Sequence, residues 1–170
     1  MIAPTLICVL CAVAAVDGQP IPPAGDWPKF GADSGNSGRS KFRLELVEEP
    51  AVAWTYSFAT KSPTNDFHAS PVIDDDHAVY VGDSNGIFCK IDGTNGAQVW
   101  CSESSMSPIV SSAAIDSTHD GVLTVYYGDG AGRFHALLAA TGEPKFETFE
   151  CSKPIQSSPI IREHVAIDGT

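Results

Sequence analysis

The chain has 170 residues, 43% of them apolar and 18% charged, with a formal net charge of −11. This composition is globular rather than disordered, and the length suits one ordinary domain. The acidic excess argues against nucleic acid or an anionic membrane surface as partner, since both reward Lys and Arg.

In chain order, residues 1–18 read as a secretory signal peptide. Leu6 to Val16 is almost unbroken apolar sequence, followed by small residues, with cleavage expected after Gly18. A run of about 11 residues is too short to span a bilayer of ~30 Å. The alternative is a buried N-terminal helix or strand. Residues 19–60 form a lead-in with first strands, and residues 61–170 are repeats. The mature product is therefore placed outside the cell or in the lumen of the secretory pathway.

Self-similarity decides the fold. "SPVIDDDHAVYVGDSNGIFCKIDGTNGAQVW" runs from Ser70 to Trp100, and "SAAIDSTHDGVLTVYYGDGAGRFHALLAATGEPKF" from Ser112 to Phe146. Val79-Tyr80-Val81-Gly82 corresponds to Val125-Tyr126-Tyr127-Gly128, Asn95-Gly96 to Thr141-Gly142, and Trp100 to Phe146. The openings are offset by 112 − 70 = 42 residues and everything from the first of these glycines onward by 128 − 82 = 46. An insertion around Ser117 to Gly121 absorbs the difference. A third copy opens at Ser158-Pro159-Ile160-Ile161. Periods in the forties mark propellers and other arrays.

Each copy alternates short β-branched or aromatic runs with Gly-rich turns, of which "DGTNG" at Asp92 to Gly96 is the strongest hairpin signal. Four strands per repeat describe one propeller blade. The expected fold is all-β: a partial β-propeller of four-stranded antiparallel blades, two complete and the start of a third. A propeller closes with 4–8 blades, so the chain is expected to be a fragment of a larger one.

Three cysteines survive removal of the leader: Cys89, Cys101 and Cys151. Cys89 precedes the Asp92–Gly96 turn and Cys101 follows it, so the two fall on one hairpin and are expected to pair. Cys101–Cys151, across neighbouring blades, is the competing pair. A one-residue slip in register separates the alternatives.

These repeats resemble the pyrroloquinoline-quinone-type (PQQ-like) propeller family, whose pattern is an apolar strand, "VYVG", "DG", an Ala-x-Asp strand and "TG" before a Trp. "DWPKFGADSGNSGRS", Asp26 to Ser40, resembles the lead-in found before such repeats. The resemblance implies that the final aromatic of each blade docks on the next. That role falls to Trp100 and Phe146, with Asp92, Asn95, Gly96 and Gly142 on the docking-motif positions. The second copy has Leu138 in place of Asp and Phe146 in place of Trp, which the resemblance reads as a weaker docking network.

Dehydrogenases of the family hold the quinone against a vicinal disulfide beside a calcium ion, and this sequence has no Cys-Cys pair. Asp74-Asp75-Asp76 reads as a solvated turn, since calcium needs six to eight converging oxygens. "GDGAG" at Gly128 to Gly132 lacks phosphate-loop spacing and reads as a hairpin turn. His68, His77, His119, His135 and His164 show no metal-ligand spacing and are assigned structural roles. No catalytic, cofactor or metal residue is assigned. The leading reading is a secreted, non-catalytic propeller segment that scaffolds or binds an unidentified protein partner, with no cofactor. Under the alternative, the chain is the N-terminal part of a PQQ-dependent dehydrogenase using PQQ and calcium, with catalytic residues beyond Thr170. A third resemblance, to the propeller lipoprotein of bacterial outer-membrane assembly, meets a leader in which Leu10, not a small residue, precedes Cys11.

Overall fold

The computed structural model describes residues 5–8, 27–32, 37–39, 51–58, 66–103, 105, 107–117 and 120–161. Their ten strands form three antiparallel sheets. β1 (Thr5–Cys8) pairs with β2 (Trp54–Ser57). β3 (Val72–Ile73), β4 (Ala78–Gly82), β5 (Phe88–Asp92) and β6 (Gln98–Ser102) make blade A in simple meander order. β7 (Ala114–Asp116), β8 (Thr124–Gly128), β9 (Arg133–Leu138) and β10 (Phe149–Glu150) make blade B in the same order. Two four-stranded antiparallel blades, in register with the sequence repeat, are the partial propeller that the repeat predicts. β1 lies inside the stretch read as a leader, and its backbone pairs with β2 from Thr5↔Ser57 to Cys8↔Trp54. The third copy's opening residues, 158–161, carry no strand, and 162–170, with His164, lie outside the described residues, as does His119.

The sheets stack face to face, so the central strands bury both sides. All five residues of β4 are buried. Tyr80 and Ala78 join Phe88 of β5 in a cluster with Ile109, Val125, Tyr127 and Leu137, which is the A–B interface. The alternate residues Val79 and Val81 join Cys89 and Ile91 against Trp54, Tyr56 and Phe58 of the preceding sheet. Period-two alternation thus divides one strand between two apolar layers. Phe88 stacks on Tyr127 across the A–B layer with centroids 4.2 Å apart.

The inner edges are tied twice. Trp27 exchanges two backbone hydrogen bonds with Ile73, at 3.1 and 2.9 Å, and the Pro28 carbonyl accepts from Ile115 N–H at 2.8 Å. The lead-in therefore crosses the free edges of β3 and β7. Beside it, Ser70 N–H donates to Ser112 Oγ at 2.9 Å, and Ser112 N–H donates to Ser158 Oγ at 3.1 Å. The serine that opens each repeat receives the backbone of the serine before it.

Cys89 and Cys101 are bonded to each other, and Cys151 is free and exposed. The cause is register. β5 and β6 pair Cys89 with Cys101 and Lys90 with Trp100, then shift so that Ile91 faces Gln98. Val99 bulges outward, 52% exposed. With Cα atoms 4.1 Å apart, the two cysteines occupy the close spacing of a non-hydrogen-bonded pair. The bridge faces the preceding sheet. There the Tyr56 hydroxyl donates to Gln98 Oε1 at 2.8 Å and lies 3.6 and 3.5 Å from the two sulfurs. Burial, with the Asp83 carboxylate nearby, raises the pKa of that hydroxyl. Replacing both cysteines by serine should cost about 3 kcal/mol in urea unfolding, the entropy released by opening a loop of this length. A loss of a few tenths would mean that β6 is held by packing alone.

Candidate functional site

Several of the residues singled out by the repeat lie at the junctions between sheets. Asp92 builds the turn of blade A. Its Oδ1 accepts from Thr94 N–H at 2.8 Å and from the Thr94 hydroxyl at 2.6 Å, and its Oδ2 accepts from Asn95 Nδ2 at 3.1 Å. The Thr94 hydroxyl above all holds the carboxyl below the usual carboxylate range. Asn95 Oδ1 in turn accepts from Ala97 N–H at 2.8 Å. The turn delivers Gly96 at φ +75° to the indole of Trp54, not of Trp100. Trp54 Nε1 donates to the Gly93 carbonyl at 2.8 Å.

Trp100 does the same one repeat later. Its Nε1 donates to the Ala139 carbonyl at 3.0 Å, and its ring lies against Gly142, at φ +76°. A Cβ at Gly142 would sit 2.7 Å from Trp100 Cδ2, so both conformation and space require glycine there. Lys90 Nζ reaches the same Ala139 carbonyl at 3.1 Å. Leu138, in place of the turn aspartate, does not prevent closure: Gly142 N–H still donates to the Leu138 carbonyl at 2.8 Å. Trp54 was not among the residues picked from the sequence, although it stands one 46-residue period before Trp100.

Phe146 is placed differently from Trp100. Blade B closes its last pairing with a Leu137↔Pro144 bridge, bends, and resumes at Phe149↔Phe134. In blade A the residue opposite Phe88 is Ser102. The outer strand of blade B has therefore slipped by one residue relative to the repeat, and Phe146, in the bend, is 47% exposed.

Asp74-Asp75-Asp76 requires a correction. Asp75 and Asp76 are exposed as a solvated turn demands, but Asp74 is buried. Its Oδ1 accepts from Asp76 and Ala78 N–H at 3.0 and 2.8 Å, and its Oδ2 accepts from the Tyr80 hydroxyl at 2.7 Å. The first aspartate ties the β3–β4 turn to the core, which local composition does not reveal. Burial, followed by the Asp74 hydrogen bond, raises the Tyr80 hydroxyl's pKa strongly.

"GDGAG" is a hairpin turn, and its aspartate anchors a polar cluster shared by both blades. Asp129 Oδ1 accepts from Ala131 and Arg133 N–H, each at 2.9 Å. Its Oδ2 meets the Ser105 hydroxyl at 2.8 Å, Arg133 Nε at 3.0 Å and His135 Nε2 at 2.9 Å. Arg133 Nη2 also donates to the Ser105 carbonyl. Ser105 belongs to the loop from blade A, so one buried carboxylate joins both blades. Burial pushes the Asp129 carboxyl up, but hydrogen bonds from His135, Arg133 N–H and Ser105, with the Arg133 charge, outweigh it and leave the pKa lowered. His135 is buried and stacks on Tyr127 at 4.7 Å. Asp83 fills the same place in blade A and accepts from Asn85 and Ile87 N–H at 3.0 and 2.7 Å. Among the described residues, no buried side-chain nitrogen or oxygen lacks a hydrogen-bond partner, and no cluster of three or more potential metal ligands occurs.

Trp100→Ala should lower the unfolding free energy by about 3 kcal/mol, the low end for a buried aromatic because one rim is solvated. Trp100→Phe, which keeps a ring but loses the N–H, should cost less, with about 1 kcal/mol of its loss due to the missing hydrogen bond. Equal losses would assign the seat to the hydrogen bond rather than the ring. For Asp129, the lowered native pKa means its stabilisation is full above the unfolded value of about 3.9 and is lost as pH falls through the native one. Urea midpoints measured from pH 6 to pH 2 should therefore fall more steeply for the wild type than for Asp129→Asn.

No protein-family model matches the chain, and neither does any curated protein. Among solved structures, the chain is similar to quinohemoprotein alcohol dehydrogenase from Comamonas testosteroni. Identity is 24% and the TM-score 0.63, over 79% of this chain and 21% of that one. BamB from Moraxella catarrhalis matches at 29% identity and a TM-score of 0.42, over 59% of this chain and 27% of that one. The chain thus spans less than a third of either protein. With its blade order and its repeat, it has the fold of a partial β-propeller with PQQ-like repeats.

Proposed function

We propose that the chain is part of a secreted, non-catalytic PQQ-like propeller that acts as a scaffold or protein-binding module. The observation that carries this reading is the use made of the buried ionisable groups. Asp74 and Asp129 accept from backbone amides and from neighbouring side chains, and His135 faces Asp129. These groups hold turns and join blades. The Cys89–Cys101 bridge suits an oxidising compartment.

The chemistry of the residues the repeat singles out supports a reading without quinone and calcium. The sequence has no vicinal cysteine pair, and the Cys89–Cys101 disulfide lies between adjacent strands beneath Tyr56. The carboxylates of Asp74 and Asp129 are already occupied by protein donors. A dehydrogenase reading would place its chemistry on residues outside these blades.

Mixing the purified protein with PQQ and calcium separates the readings. A scaffold should leave the quinone spectrum unchanged and retain a specific protein partner in a pull-down from the extracellular fraction. A saturable change in the quinone absorbance that calcium strengthens would overturn the proposal.

A further inference from the structure

The turn that seats Trp54 contains an Asn-Gly pair, and in such a pair the asparagine amide is open to attack by the next backbone nitrogen, because glycine has no Cβ to stand in the way. The sequence holds two of these pairs, Asn85-Gly86 and Asn95-Gly96. Asn95 is exposed, and Gly96 lies at φ +75° against the Trp54 ring. The matching turn of blade B has Thr141 in the asparagine position, 141 − 95 = 46 residues on. Threonine has no amide to lose, so this chemistry is open at the Trp54 junction and closed at the Trp100 junction.

In the formed turn the reacting groups are committed elsewhere. The Gly96 N–H, whose nitrogen would be the nucleophile, donates to the Asp92 carbonyl at 2.8 Å. Asn95 Nδ2, the leaving group, donates to Asp92 Oδ2 at 3.1 Å, and Asn95 Oδ1 accepts from Ala97 N–H at 2.8 Å. Trp54 holds the turn from the other side, with its ring on Gly96 and its Nε1 donating to the Gly93 carbonyl at 2.8 Å. Attack requires those three turn hydrogen bonds to release, and the seated indole opposes that release.

We propose that Asn95 is a site of spontaneous deamidation gated by Trp54, and that the reaction unfastens blade A from the sheet before it. The Gly96 nitrogen bonds to Asn95 Cγ and the Cγ–Nδ2 bond breaks. Ammonia leaves with the proton that the Gly96 nitrogen gives up. Water then opens the succinimide at either carbonyl, giving aspartate or isoaspartate with no change of oxidation state. Neither product suits the turn. Aspartate sets a second carboxylate beside that of Asp92, where the amide donated before. Isoaspartate adds a methylene to the main chain just before Gly96, where a Cβ would already stand 2.8 Å from Trp54 Cδ2. Because the step does not reverse, it records each opening of the junction that led to reaction.

Peptide mapping by mass spectrometry, after incubating the whole protein in mildly alkaline buffer, tests this. In urea, Asn95 should deamidate readily. In the folded protein it should do so at least about tenfold more slowly, since only the open fraction reacts. Trp54→Phe, which keeps a ring but loses the hydrogen bond to Gly93, should raise the folded-state rate at Asn95 several-fold relative to that at Asn85. Protein modified at Asn95, and the Asn95→Asp variant, should unfold at lower urea than the wild type. Asn95→Thr should abolish the modification and stay near the wild-type midpoint, since Thr141 Oγ1 already accepts from Glu143 N–H in the matching turn. Equal rates at Asn95 in folded and unfolded protein would overturn the gate, as would a rate ratio that Trp54→Phe leaves unchanged. An unmodified Asn95 in urea would remove the site altogether, and a wild-type urea midpoint after modification would overturn the unfastening.

Discussion

An indole lying on a glycine, with its N–H on a backbone carbonyl of the next blade, sets the spacing of this structure. Trp54 meets Gly96 and Gly93, and Trp100 meets Gly142 and Ala139. The contact is tight enough to leave no room for a Cβ, so it fixes how far each sheet stands from the next. The apolar layers then fill that gap. Tyr80, Phe88 and Tyr127 occupy one; Tyr56, Phe58 and Val81 occupy the other. Ring packing supplies area and the hydrogen bond supplies direction, since a ring alone could slide.

Polar groups do the complementary work at the ends of the strands. A buried carboxylate costs several kcal/mol unless donors surround it. Asp74 and Asp129 meet that requirement by collecting amide donors from their own turn and a side-chain donor from outside it. The two blades solve one position differently. Where blade A has Cys89 bonded to Cys101, blade B has His135 bonded to Asp129, 46 residues on. Blade A thereby fastens its outer strand covalently. Blade B fastens the loop leading into it, and its outer strand is only the two residues of β10.

Much of this was legible in the sequence because a propeller repeats. The offset of 46 residues, the Asn-Gly and Thr-Gly turns and the aromatic at the blade end located the strands of the two blades. Trp54 could have been found by subtracting one period from Trp100. What stayed hidden depends on register and burial. Nothing local distinguishes Asp74 from Asp75 and Asp76; only the fold turns the first toward Tyr80. The Asp129–His135 pair joins a turn to the interior of the following strand, and the pairing of β8 with β9 decides it. The one-residue slip of β10 follows a bend near Pro144, whose ring cannot donate to a ladder, and a repeat alignment assumes such slips away.

The lead-in has a consequence for the order of assembly. Trp27 and Pro28 satisfy backbone groups of Ile73 and Ile115, which lie in different blades. Neither edge exists until its own hairpin has formed, and the loop closed between Pro28 and Ile115 is long. Local meanders form early because their loops are short, while distant closures wait. The N-terminal strip therefore seats after the blades it bridges. Until it does, the edges of β3 and β7 stay open to any other extended chain that reaches them first.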